Sequence, residues 1–164
     1  MFNDENAWGN GNEETDMMPL IYAALDASSS GVIITDNTLP DNPIIYSNSA
    51  FQEITGYSKE EVIGHNCRFL QGDERTQDVR KKIRKAIDSG ENVTVEIRNY
   101  KKNGDLFWNE LFISPVKNKA GAVTHFIGVQ NDISKRKAVE DKMVYERMQV
   151  EQKIEERTER LKMN

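Results

Sequence analysis

The sequence has few of the residues from which disulfide frameworks and metal centres are built. Its 164 residues include one cysteine, Cys67, and two histidines, His65 and His125. One cysteine cannot form an internal disulfide or a multi-thiolate metal site, so any chemistry of Cys67 involves that thiol alone. The two histidines have no recognisable metal-ligand spacing, and we therefore expect no metal.

The sequence also lacks long apolar runs and an excess of positive charge. No stretch approaches the roughly 18 apolar residues that a membrane span needs. The first sixteen residues are polar and acidic where a signal peptide would be basic and then apolar. We therefore expect a cytoplasmic protein with no membrane contact. The formal net charge of −5 provides no basic field for a nucleic-acid backbone, so we expect no direct nucleic-acid binding.

The hydrophobic content of 37 % is sufficient for one globular domain with tails. A polar stretch at the start predicts a flexible leader, and Asp16 is a candidate N-cap for the helix that follows. The last 31 residues contain no glycine or proline, which predicts one long helix. The predicted segments are a leader at 1–16, an N-terminal helix within 17–30, a sensor domain at 31–133 and a C-terminal helix at 134–164.

The central segment predicts a sheet and helices that occupy separate blocks of the chain. Two β-branched runs with turn residues between them predict a hairpin, and Ser58 with Glu61 forms a capping box within a helical block. Gly90 is the expected end of that block. The predicted strands are 32–35, 44–46, 92–100, 106–116 and 123–133. This order predicts an α+β fold: a five-stranded antiparallel sheet with helices on one face, plus flanking helices at both ends.

The C-terminal helix has an incomplete apolar seam. Met143, Val150 and Ile154 fit heptad positions, as does Leu161, but arginines at 147 and 157 occupy the same seam. The pattern predicts a weak or interrupted coiled coil. The alternative is a single helix surrounded by solvent.

Three carboxamides stand among apolar residues on the three late strands: Asn99, Asn109 and Gln130. A buried amide needs partners for both its carbonyl and its amino group. Surface placement would explain any one of them. If all three share the helix-covered face, they can line one pocket and bind a flat heterocycle that alternates donors and acceptors, such as the pyrimidine edge of a flavin.

Four arginines form a second group: Arg68, Arg75, Arg80 and Arg84. Arg80 and Arg84 are one helical turn apart and therefore lie on the same side of a helix. Guanidinium groups suit a phosphate. The alternative is a solvated helix face, because three lysines share the segment.

A lone cysteine is usually a small buried hydrophobe, but the sequence around Cys67 resembles a known family. The run Asn66-Cys67-Arg68-Phe69-Leu70-Gln71 is similar to the motif of light-oxygen-voltage (LOV) photoreceptors, a branch of the PAS domains. The resemblance continues through Asn99-Tyr100, Phe107-Trp108-Asn109-Glu110-Leu111 and Gly128-Val129-Gln130-Asn131-Asp132, and covers roughly residues 31–133.

The resemblance implies a blue-light photoreceptor with flavin mononucleotide (FMN) as its chromophore. Cys67 would be the photoreactive thiol, and Asn99 and Asn109 would hold the pyrimidine edge. Gln130 would contact ring nitrogen 5 and act as the signalling switch. Asn66 and Gln71 would contact the ribityl chain or ring. Arg68 and Arg84 would bind the phosphate, with Arg75 and Arg80 as additional phosphate ligands. The residues implied around the ring are Ile33, Thr35, Leu70, Ile83, Ile87, Leu111, Phe126 and Gly128.

In the family's scheme, blue light drives a reversible bond between the Cys67 sulfur and flavin carbon 4a, and nitrogen 5 gains the thiol proton. Our hypothesis is that Gln130 answers by turning its amide, which tilts or loosens the C-terminal helix or its contacts in a homodimer. The resemblance implies no enzyme activity in this chain, which is either a natural short receptor or the sensory part of a larger protein with an effector. A light-independent PAS module for dimerisation or ligand binding is the main alternative, and a flavoenzyme is less favoured because no nicotinamide motif is present.

Overall fold

The computed structural model describes residues 14–163, so most of the leader predicted at 1–16 lies outside the described residues. The described part contains five helices and five strands, with one 3₁₀ helix in addition. The helices are α1 (Glu14–Asp26), α2 (Ser49–Thr55), α3 (Lys59–Val62), α4 (Val79–Ser89) and α5 (Ser134–Lys162), and the 3₁₀ helix is Cys67–Gln71. The strands are β1 (Gly31–Asp36), β2 (Ile44–Ser47), β3 (Val93–Tyr100), β4 (Leu106–Lys117) and β5 (Val123–Asp132).

The strands form one antiparallel sheet in the order β2-β1-β5-β4-β3. Burial alternates along β3, where every second residue from Val93 to Asn99 faces the interior. This period of two is what a strand with one covered face requires. The predicted α+β fold, with its sheet, helices and long C-terminal helix, is confirmed.

Short polar contacts fix the ends of the helices that cover the sheet. The Asn48 side chain accepts a hydrogen bond from the Phe51 amide at the start of α2. The predicted capping box is present at α3, where Ser58 and Glu61 exchange side-chain to backbone hydrogen bonds. Gly90 ends α4 with φ of 62°, a left-handed conformation that glycine adopts without a steric penalty. These ends hold the helical block in register over the sheet.

Helix α1 differs in its bounds from the predicted N-terminal helix. It begins at Glu14, so Asp16 lies inside the helix and is not its N-cap. It ends at Asp26, before the predicted limit at residue 30. The Ser28 hydroxyl accepts a hydrogen bond from the Ser30 amide, a local contact of the kind by which serine competes with helical hydrogen bonding.

The hydrophobic core has two clusters. The first joins β1 and β2 to the helices through Ile33, Phe51, Val62 and Leu70 together with Ile44. The second joins α4 to β3 through Ala86, Val93 and Val95, with Ile83, Leu111 and Ile113 packed against it. The candidate site described below lies between these two clusters.

Helix α5 leaves the domain after β5 and has no buried residue. Its apolar residues at 143, 150, 154 and 161 are all exposed. Within residues 14–163, no helix combines the length and the apolar character needed to cross a membrane. The described part of α5 is thus a long projecting helix whose apolar side chains are not buried against any other part of residues 14–163.

Candidate functional site

The three predicted amides meet on the inner face of the sheet. Asn109 Nδ2 donates to Asn99 Oδ1 over 2.9 Å and to Gln130 Oε1 over 3.2 Å. The exposed fraction is 3 % for Asn99, 1 % for Asn109 and 0 % for Gln130. The antiparallel register places them together, because Asn109 stands opposite Ile97 and Gln130 stands opposite Leu111. Three strands therefore contribute one connected amide group to a buried face.

Several buried polar atoms at this group lack a hydrogen-bond partner within the described residues. They include Asn109 Oδ1, an acceptor, and Gln130 Nε2, a donor. Thr35 Oγ1, Asn42 Oδ1 and Gln71 Oε1 are also buried without a partner. A buried polar group without a partner typically costs about 1–3 kcal/mol. The donor set thus fits a ligand whose edge carries both acceptors and donors, as a flavin ring does.

A cavity of about 130 Å³ lies beside the amides. Its apolar wall comes from both core clusters, so an apolar ring placed there would bridge the two halves of the core. Gly128 lines the cavity where β5 packs closely on Ile33, because a Cβ at that position would lie 3.0 Å from Ile33 Cγ1. The lining residues are Ile33, Thr35, Asn42, Asn66, Cys67, Arg68, Gln71, Ile83, Ile87, Ile97, Asn99, Asn109, Leu111, Ile113 and Gly128.

Three of the predicted ring contacts are outside this lining. Gln130 is fully buried and accepts a hydrogen bond from Asn109, which does line the cavity. Leu70 packs in the first core cluster and is 2 % exposed. Phe126 is buried on β5 and stands opposite Thr35 in the sheet. The contact of these three side chains with a ring stays a prediction.

Three lining residues were not predicted from the sequence. Ile97 and Ile113 lie two residues from Asn99 and Leu111 on their strands, so the same alternation would have identified them. Asn42 could not have been identified by strand alternation. It lies in the β1–β2 connection with φ of 48°, and only the folded connection turns its side chain toward the cavity.

Cys67 is the first residue of the 3₁₀ helix and lines the cavity. The Asn66 side chain caps this helix by accepting from the Arg68 amide over 3.0 Å. Part of Cys67 remains exposed, but its sulfur packs against the first core cluster. Burial raises the pKa of the Cys67 thiol from 9.0 to about 12, and the adjacent Gln130 side chain offsets this only in part. The thiol is therefore protonated at neutral pH.

The four predicted arginines all line a wider cleft of about 690 Å³ that adjoins the cavity. Six residues belong to both spaces, so the cavity and the cleft are continuous: Asn42, Asn66, Arg68, Gln71, Ile83 and Ile87. Arg75 and Arg84 are exposed on this cleft, and Arg80 is half-buried. The combined space has an apolar and amide-lined end and a guanidinium-lined end.

Arg68 forms an ion pair with Asp41, and both residues line the cleft. Its two terminal nitrogens each donate to Asp41 over 2.6 Å, and Asn66 Nδ2 donates to the Asp41 carbonyl. The hydrogen bond from Arg68 lowers the pKa of the Asp41 carboxyl below its ordinary value. A phosphate bound at Arg68 would share or replace this carboxylate.

The start of α5 is tied to the outer face of the sheet. Glu96 and Glu110 stand opposite each other on β3 and β4, and Arg136 contacts both, at 2.7 Å and 3.5 Å. Lys137 also pairs with Glu96, and this hydrogen bond is the main cause that lowers the pKa of Glu96. The Ile133 amide donates to the Trp108 carbonyl over 2.9 Å. The base of α5 is therefore in direct contact with β3 and β4.

Comparison with known proteins gives consistent matches. The family model of the PAS domain matches residues 29–135. The blue-light photoreceptor of Listeria innocua is 47 % identical over 115 residues, which are 70 % of this chain and 45 % of that protein. The blue-light-activated histidine kinase of Brucella anthropi is 46 % identical over 112 residues, 68 % of this chain and 23 % of that protein.

A solved structure agrees with these matches. The LOV domain of a blue-light activated histidine kinase from Erythrobacter litoralis superposes with a TM-score of 0.61 at 38 % identity. The match covers 64 % of this chain and 96 % of that domain. The chain spans less than half the length of the curated relatives described above.

Proposed function

This chain belongs to the PAS domain family and to its light-oxygen-voltage branch of blue-light sensors, and from that premise we propose that it binds FMN and signals through reversible bonding of Cys67. The observation that carries the proposal is the placement of a protonated thiol, Cys67, in the same cavity as the buried amides Asn99 and Asn109. In this proposal residues 31–133 are the sensor domain, and 134–164 transmit its state.

The proposed contacts follow the two ends of the site. Asn99, Asn109 and Gln130 hold the ring edge, because the free acceptor and donor atoms of this group need partners. Asn66, Gln71 and Asn42 line the passage between the two ends. Arg68, Arg75, Arg80 and Arg84 bind the phosphate, since guanidinium groups match its oxygens and charge.

The bound flavin supplies the absorption of blue light and a ring carbon that accepts a thiol. Cys67 would supply both the sulfur that bonds to this carbon and the proton that the neighbouring ring nitrogen takes up, so the addition would be balanced and reversible. The raised pKa keeps this proton on the sulfur in the dark. Gln130 responds because one end of its amide accepts and the other donates.

The test of the proposal is the absorption spectrum of the purified protein before and after blue light. We expect a flavin band that bleaches under illumination and returns in the dark. Extraction and mass analysis of the chromophore distinguish FMN from other flavins. A colourless protein, or one with a flavin band that light leaves unchanged, would contradict the proposal.

The raised pKa of Cys67 gives a prediction about thiol reactivity. Only the thiolate is alkylated rapidly, and below the pKa the thiolate fraction rises about tenfold per pH unit. The pKa of the Cys67 thiol is about 12 in the folded protein, against the ordinary 9.0. The alkylation rate of the flavin-free protein should therefore still be rising above pH 9.0.

Stopped alkylation reactions analysed by mass spectrometry give this rate at each pH. The control is the same protein unfolded in denaturant, whose rate should level off near the ordinary pKa. If the rate of the folded protein also levelled off near pH 9.0, the thiol would not experience the burial that the proposal requires.

We also propose that the chain forms a homodimer through its flanking helices, and that a downstream effector domain or protein responds to α5. Exposed apolar side chains are concentrated on α1 and α5. On α5 they include Met143, Val150 and Ile154, the heptad positions predicted above. Burial between two copies would remove these side chains from water.

Substitution Ile154→Glu tests the helix contact. Each copy loses one apolar side chain whose burial contributes about 1.5–3 kcal/mol, so the dimer dissociation constant should rise about a hundredfold. Light scattering over a concentration series measures it. Gln149→Glu makes the same charge change off the seam and should leave the dimer intact. Equal effects of the two substitutions would show that α5 does not pair along this seam.

A further inference from the structure

The segment between the 3₁₀ helix and α4 is attached to strand β3 by a glutamine that the sequence pattern did not single out. Gln77 Nε2 donates to the Arg98 carbonyl over 3.1 Å, and the Arg98 amide donates to Gln77 Oε1 over 3.2 Å. Since β3 is an edge strand, this amide occupies backbone groups that a further strand would otherwise bind. Gln77 therefore acts as a two-point clamp on the edge of the sheet.

The same segment has other contacts with β3. The Glu74 carboxylate accepts from Arg98 Nε over 2.9 Å. Gly72 lies against the ring of Tyr100, where a Cβ would approach Tyr100 Cδ2 to 2.9 Å, and its φ is 53°. Segment 72–78 is thus held to β3 at both ends, and Arg75 lies between these points on the cleft.

The Arg98 carbonyl links this segment to the buried amides. It accepts from Gln77 Nε2 and also from Asn99 Nδ2, over 3.1 Å and 3.0 Å. Asn109 then joins Asn99 to Gln130. Without Gln77, Asn99 keeps its bonds to Arg98 and Asn109, so the ring-binding end would remain assembled while the arginine segment loses its clamp.

We propose that Gln77 is a positioning residue that fixes Arg75 at the phosphate end of the site and thereby sets the preference for FMN over riboflavin, the flavin without a phosphate. The inference rests on the proposed function. Gln77 does not need to contact the ligand, because it acts by holding segment 72–78 in position against β3.

The test compares the affinities of FMN and riboflavin for the full chain. Gln77→Ala should raise the dissociation constant of FMN about tenfold, the factor expected when Arg75 loses a charge-assisted hydrogen bond to the phosphate. The dissociation constant of riboflavin should change less than about twofold, since Gln77 acts on the phosphate end alone. Equilibrium dialysis with flavin fluorescence measures both. Gln52→Ala, an exposed glutamine on α2, should change neither affinity.

A second background separates positioning from a general loss of structure. In protein that already carries Arg75→Ala, the added Gln77→Ala substitution should change FMN affinity by less than about twofold, because the residue that Gln77 positions is absent. An equal loss of both flavins, or a full effect in the Arg75→Ala background, would overturn the inference. Failure of the unsubstituted protein to bind either flavin would instead overturn the proposed function, and this inference with it.

Discussion

Replacement of Cys67 by alanine is expected to abolish the light-induced spectral change while leaving flavin bound. No other cysteine is present in the sequence, so the variant has no thiol that could add to the ring. The amide group and the arginines that hold the ligand are unchanged. Deletion of the sulfur removes one small group from the edge of the core, at a cost of about 1 kcal/mol. The dark flavin band should therefore persist unbleached under blue light.

Absorption and fluorescence recorded during illumination give the result. Without bonding to a thiol, the excited flavin returns by emission, so the fluorescence should stay constant where that of the unsubstituted protein falls. Cys67→Ser is the matched control, because serine keeps the size and hydrogen-bonding capacity of the side chain without a sulfur. Reversible bleaching of either variant would show that the light reaction is not bonding of Cys67.

The pattern of apolar residues along the chain was sufficient to predict the strands of the sheet and the helices that cover one of its faces. Asn99, Asn109 and Gln130 were assigned to three strands, and a shared face was a condition of the predicted pocket; in the structure they form one hydrogen-bonded group. The same alternation contained the information for Ile97 and Ile113. Strand patterns therefore predict which residues share a face, because successive side chains point to opposite sides of the sheet.

The connections between elements could not be predicted in the same way. Asn42 reaches the cavity through a left-handed backbone conformation at Asp41 and Asn42, and sequence patterns indicate only that a turn occurs there. Gln77 binds the backbone of Arg98, a residue 21 positions away. Backbone amides and carbonyls are nearly the same in every residue, so the sequence does not indicate which of them a side chain binds. A contact of this kind becomes visible only when β3 and segment 72–78 are placed together.

The ion pair between Arg68 and Asp41 is a third feature that could not be predicted from the sequence. The arginines were predicted to gather at one end of the site, and all four line the cleft. The sequence did not indicate that Asp41 would engage Arg68, because the two residues are 27 positions apart and both are exposed. Exposed charges have many possible partners of similar energy, so local sequence does not select among them.

Replacement of Gln130 by leucine is expected to separate the light reaction from its effect on α5. Gln130 is fully buried and accepts from Asn109, and its Nε2 has no hydrogen-bond partner among the described residues. Leucine has nearly the same size but can neither donate nor accept a hydrogen bond. Asn109 Nδ2 keeps its bond to Asn99, so the remaining amides stay paired. Cys67 should therefore still react, but the protonated ring nitrogen would have no side chain that can respond.

The path that is interrupted runs along β5. The residue after Gln130 is Asn131, which accepts from the Ser30 hydroxyl over 2.6 Å, and Ile133 is bound to the Trp108 carbonyl at the start of α5. Because Arg136 joins this helix to Glu96 and Glu110, a small displacement of β5 changes ion pairs at the helix base. A hydrogen-bond change of about 1 kcal/mol is enough to shift such an equilibrium several-fold.

Hydrogen exchange in the first turns of α5, together with solution X-ray scattering, measures the effect in darkness and under blue light. We expect the light-induced change in both to fall at least about fivefold in Gln130→Leu, while bleaching of the flavin band remains. Gln52→Leu, the same substitution on the exposed surface of α2, should retain the full response. If Gln130→Leu responded like the unsubstituted protein, the coupling to α5 would have to start from another contact, and β5 would not be its route.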